Sequence, residues 1–143
     1  MCIIPQTITL GAAMLTLADA RLITAAAQKK AVENNWNVVV AVVDDGGHLI
    51  TLERMDGTQK GSVRVAEQKA RTAMMFLRST KVFEDAVLQG RPHMMTLPDV
   101  ICLEGGVPLM RNGVQVGAIG VSGLKSFEDG VVAAAGVAAL DAG

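Results

Sequence analysis

Residues 107–121, VPLMRNGVQVGAIGV, decide the fold. Asn112-Gly113 at the centre accepts the positive φ angles of a tight two-residue turn, and the apolar runs on either side predict antiparallel strands over 107–111 and 114–121. A second pair of the same kind lies upstream. The β-branched run 37–44 and the loosely alternating 48–54 flank Asp45-Gly46-Gly47, which predicts another hairpin. Residues 99–103 read as a fifth strand. Helices are expected over 7–34, over 63–78 with Ala66, Ala70, Ala73 and Leu77 on one face, over 80–89, and from Ser126 onward. At Ser126 the hydroxyl and the Asp129 side chain form a relative of the capping box. The order is α-β-β-α-α-β-β-β-α with both tight connections antiparallel, so the fold class is α+β rather than a doubly wound parallel sheet.

The chain has 143 residues, the size of one domain spanning 1–143. With 50% apolar and 19% charged residues it is not intrinsically disordered. A net charge of −1 steers it toward neither nucleic acid nor anionic membranes. The first residues, MCIIPQTITLGAAM, lack the basic leader of a secretion signal, and no apolar run is long enough to span a bilayer. The expected location is cytoplasmic. Cys2 and Cys102 have no metal-ligand spacing and suit a reducing compartment. Segment 7–34 carries one apolar stripe through Leu10, Met14, Leu17, Ala18, Leu22, Ala25 and Val32 and a second, of small residues, through Ala13, Ala20, Ala27 and Ala31. A helix apolar on two sides is either central to the core or shared with another subunit, and it points to a homo-oligomer.

Glycine gathers in three places: Asp45-Gly46-Gly47, Glu104-Gly105-Gly106-Val107-Pro108 and Gly117-Ala118-Ile119-Gly120-Val121-Ser122-Gly123. The third is spaced G-x-x-G-x-x-G, not G-x-G-x-x-G, and no βαβ unit surrounds it, which argues against a dinucleotide site. Bare backbone there serves either close packing by another backbone or close approach of a ligand. Arg54 and Asp56 share one strand face if the strand persists past residue 54. Lys69 falls between Ala66 and Ala73 on an apolar helix face, where a lysine either snorkels outward or faces a site. His48 reads as an exposed residue after a turn. His93, in Gly90-Arg91-Pro92-His93-Met94-Met95, offers imidazole beside thioethers, and both are haem-iron donors. No G-x-S-x-G elbow or HExxH zinc motif is present.

Five of these segments together resemble the GlcG/HbpS family, also named the haem-degrading domain family: Val42-Val43-Asp44-Asp45-Gly46-Gly47-His48-Leu49, Arg54-Met55-Asp56-Gly57, Lys69-Ala70-Arg71-Thr72-Ala73, Gly105-Gly106-Val107-Pro108 and the 117–123 glycine run. The family includes the carboxy-terminal part of the diol-utilisation cobalamin adenosyltransferase, and the chain is similar to small stand-alone members of glycerol and diol fermentation clusters. The resemblance implies a profilin-like fold, an antiparallel sheet of about five strands between helical layers. It also implies homo-oligomers and, in some members, haem binding. In some haem-binding members an axial histidine comes from the amino-terminal helical region, whereas residues 1–47 contain no His.

The expected function is a small-molecule or tetrapyrrole-binding protein, haem- or cobalamin-related, accessory to cofactor-dependent metabolism of the glycerol and diol type. Its ligand-binding residues are Arg54, Asp56, Lys69, Gly105, Gly106, Ser122 and Gly123, with His93 as the candidate haem ligand. Arg54 or Lys69 would pair with a carboxylate or propionate. One alternative is an enzyme on a small polar metabolite, with Asp56 or Asp44 as base and Lys69 as electrostatic partner. Another is an accessory subunit without a ligand.

Overall fold

A computed structural model describes residues 14–142. The elements are α1 (Leu17–Glu33), β1 (Val39–Asp44), β2 (Leu49–Arg54), α2 (Ser62–Met75), α3 (Lys81–Leu88), a 3₁₀ turn (Pro92–Thr96), β3 (Gly106–Arg111), β4 (Val114–Ser122) and α4 (Ser126–Ala142). The four strands form one antiparallel sheet in the order β2-β1-β4-β3. Both expected hairpins are present, and Asn112 and Gly113 each take positive φ.

The period-2 alternation of β1 sends Val38, Val40 and Val42 to one face and Val39, Ala41 and Val43 to the other. On the first face α1 and α4 pack side by side, and Ala20, Ile23, Ala27 and Ala31 of α1 meet Ile119, Val121 and Val132. On the second face α2 lies across β4, β1 and β3 through Ala66, Ala70 and Ala73, and barely reaches β2. The small-residue stripe of α1 is therefore core of the single chain. Leu17, Leu22 and Val32 remain exposed.

Three expectations need correction. The sheet has four strands rather than five, because the 99–103 segment is bound to α2 instead. The Asp99 carbonyl accepts from Gln68 Nε2 at 2.7 Å, and Ile101 N donates to Thr72 Oγ1 at 3.1 Å. α1 begins at Leu17 rather than residue 7. Thr16 caps it, accepting from Asp19 N at 3.0 Å while the Asp19 carboxylate accepts from Thr16 N at 2.9 Å. Residues 7–13 lie outside the described ones. α2 stops before Leu77, which takes φ +55° and stands exposed, while Arg78 N donates to the Ala73 carbonyl to close the helix.

Candidate functional site

The residues singled out in the sequence fall into three places. The first is interior. Lys69 is 2% exposed, and its Nζ donates to Asp129 Oδ2 and to the Val121 carbonyl, both at 2.9 Å. Asp129, also 2% exposed, accepts at Oδ1 from Leu124 N at 3.1 Å. The carboxylate that meets Lys69 is thus Asp129, in the first turn of α4, and not Asp56. This use of Asp129 also replaces the capping box expected with Ser126. Burial pushes the Asp129 carboxyl up to about 6, against the pull of Lys69 and the Leu124 amide. Burial likewise raises Glu104, whose carboxylate packs over the Cα of Gly130.

Glycine makes this interior possible. Gly106 and Gly120 are cross-strand partners facing α2. A Cβ on Gly106 would run into the Lys69 carbonyl, and one on Gly120 into the Ala66 carbonyl and to 2.6 Å from Ala70 N. At Gly105, φ is +133°, and a Cβ would stand 2.6 Å from the Val121 carbonyl and 2.9 Å from Lys69 Nζ. Gly106 and Gly120 therefore seat the α2 backbone on the sheet, and Gly105 clears the space taken by the Lys69 side chain. Ser122, at the end of β4, is buried opposite Val39.

The second place is the turn after β2. The strand ends at Arg54, and Met55 to Thr58 turn through Gly57 at φ +85°, so Arg54 and Asp56 no longer share a strand face. Both are exposed. Gly57 borders a cleft of about 350 Å³ where three segments meet: Asn35 to Asn37 after α1, Gly57 to Gln59, and Gly123-Leu124. Of the expected ligand-binding residues Gly123 lines this cleft, and Asp56 immediately precedes it in the chain.

The third place is the exposed loop after α3. Pro92–Thr96 forms a 3₁₀ turn packed on α3, with His93 and Met95 exposed and Met94 half-buried. Arg91 is exposed beside it, and Leu88 at the end of α3 is 77% exposed. The turn does not line the Gly57–Gly123 cleft. Asp44 is occupied elsewhere, since its Oδ1 accepts from Gly46 N at 2.9 Å and His48 N at 3.0 Å and holds the β1–β2 turn.

Among the described residues no set of three or more His, Cys, Asp or Glu side chains is placed to share a metal ion. No helix among them is long and apolar enough to cross a membrane. Sequence reasoning missed Asp129 as the partner of Lys69 and the Asn35–Asn37 side of the cleft. The oddly placed lysine was the only signal for the former.

The four-stranded sheet, the glycine seat and the buried lysine define a chain of one recognisable class. Residues 15–138 match the family described as haem degrading protein HbpS-like, and the chain belongs to that family. It is 47% identical over 103 residues to protein GlcG of Escherichia coli (strain K12), covering 72% of this chain and 77% of that protein. It is 34% identical over 125 residues to a 15.0 kDa protein from the dhaT-dhaS intergenic region of Citrobacter freundii, covering 85% of this chain and 88% of that one. Its structure superposes on the PduOC:haem complex with TM-score 0.80 at 29% identity, covering 88% of this chain and 94% of that chain.

The loop after α3 carries donors of the kind haem iron takes, an imidazole at His93 and thioethers at Met94 and Met95, with Arg91 exposed beside them. If haem is held there, His93, Met94 or Met95 would hold it and haem would supply the iron chemistry.

Proposed function

We propose that the protein binds a tetrapyrrole, haem in the first instance, and works as a single-domain accessory protein in cofactor-dependent metabolism of the glycerol and diol type. The observation that carries this reading is the likeness to a haem-complexed relative over nearly nine-tenths of the chain. His93 is assigned as the axial ligand, with Arg91 placed to pair with a propionate. Lys69, Gly105 and Gly106 are assigned to the support of the fold, because Lys69 already has two acceptors inside it. Gly123 is kept in a small-molecule site at the Gly57–Gly123 cleft, whereas exposed Arg54 and Asp56 and buried Ser122 do not line it and are not assigned to it. A homo-oligomer would form through the α1 face bearing Leu17, Leu22 and Val32; a stable monomer by light scattering at micromolar concentration removes that assignment.

The binding reading is tested by titrating the protein with haemin. The expected result is a shifted Soret band that saturates at one haemin per chain. Absorbance that grows without saturating, as for free haemin, rejects it. An enzymatic reading has less support, since Asp44 holds a turn and Lys69 is paired with Asp129.

A further inference from the structure

We propose that the cleft beside Trp36 takes a neutral polyhydroxy compound of aldose size. The inference rests on the reading of this cleft as a ligand site and is independent of haem. Its volume of about 350 Å³ falls in the range of small-molecule sites, roughly 300–1,000 Å³.

The lining sets the ligand's chemistry. No Lys, Arg, Asp or Glu is among the lining residues. A charged ligand would give up hydration there with no counter-charge in return, and a wholly apolar one would strip water from the carboxamides. The Asn35 and Asn37 carboxamides have no hydrogen-bond partner among the described residues, leaving both a donor and an acceptor on each. Gln59 donates to Ser62 Oγ at 3.0 Å, which fixes its amide. A hydroxyl both donates and accepts, so neighbouring hydroxyls match neighbouring carboxamides. Trp36 adds a flat apolar surface of the kind that packs against the C–H face of a sugar ring.

The three segments are brought together by backbone geometry. Asn35 takes φ +59°, and Trp36 N donates to the Ala31 carbonyl at 2.8 Å, which closes α1 and places Trp36, packed against the core, among the residues lining the cleft. A Cβ on Gly57 would stand 3.1 Å from Asn37 Nδ2, and one on Gly123 would stand 2.9 Å from the Asn37 carbonyl.

Trp36 is the only tryptophan, so its emission reports on this cleft alone. The test titrates the full chain, without haemin, with D-glucose and D-ribose, and with citrate and adenine as comparators. The expected result is a saturable emission change with at least one sugar and none with citrate or adenine. Asn37→Ala, and Asn35→Gly, which keeps the φ of +59° that Ala would strain, are both at exposed positions; each should raise the midpoint at least tenfold while staying folded in urea melts. The proposal is overturned if neither sugar saturates, if citrate or adenine does, or if a folded Asn variant binds the sugar as the wild type does. Failure here leaves the haemin titration unaffected, so the two readings fail separately.

Discussion

Lys69 and the Arg91–Met95 loop both attracted attention in the sequence, and they turn out to be opposites. Lys69 is buried with two acceptors at 2.9 Å, and glycines on two strands clear the space for its helix. His93 and Arg91 stand in solvent at a short turn that packs on α3. A buried cation without a partner is too costly to persist, so a buried lysine next to a buried carboxylate belongs to the fold. Exposed donors carry no such obligation and remain available to a ligand. The contrast assigns the Lys69 region to stability and leaves the loop free for the binding proposed above.

The largest expected effect comes from breaking the interior pair. Lys69→Met leaves the Asp129 carboxylate buried and unpaired, and should cost about 3–5 kcal/mol in urea melts at pH 8. Lys69→Met with Asp129→Leu should recover most of that loss. If the single variant is as stable as the wild type, the pair does not hold α2 and α4 together.

Gly120→Ala should cost less, about 1–3 kcal/mol, because its Cβ meets helix backbone rather than a flexible side-chain tip. A neutral effect in thermal melts would mean that α2 does not sit as close to the sheet as described.

Titration gives a smaller and signed effect. Asp129 has a pKa of about 6 in the folded chain against an ordinary 3.8. The folded state therefore takes up a proton in that window before the unfolded chain does. This contribution to stability is fully present below about pH 4 and is lost as pH rises through about 6, with a slope of at most ~1.4 kcal/mol per pH unit. The stability difference between the wild type and Asp129→Asn should move in that direction between pH 7 and 4. A difference that is flat, or that favours the wild type as pH rises, contradicts the assignment. The smallest effect is at the exposed strand end, where Arg54→Ala should change stability by no more than ~0.5 kcal/mol.

The sequence made the hairpins legible because turn chemistry is local: Asn112-Gly113 and Asp45-Gly46-Gly47 need only their own backbone preferences. The missing strand at 99–103 has the composition of a strand, but Gln68 and Thr72, some thirty residues upstream, take up its backbone groups. The start of α1 was readable in Thr16 and Asp19, a capping pair hidden inside a longer apolar pattern. Lys69 was marked as anomalous by its helix position alone. Its partner Asp129 lies 60 residues away and looked like an ordinary first-turn acid. The 117–123 glycine run suited either a ligand or a second backbone, and the structure places the α2 backbone over Gly120.

The division between a structural interior and a binding surface is tested most directly by the ferric spectrum with saturating haemin in His93→Ala and His48→Ala. The account predicts that His93→Ala loses or shifts the wild-type Soret band while His48→Ala keeps it, with both variants matching the wild type in urea melts. A wild-type spectrum in His93→Ala would contradict it and remove the exposed loop as the haem site.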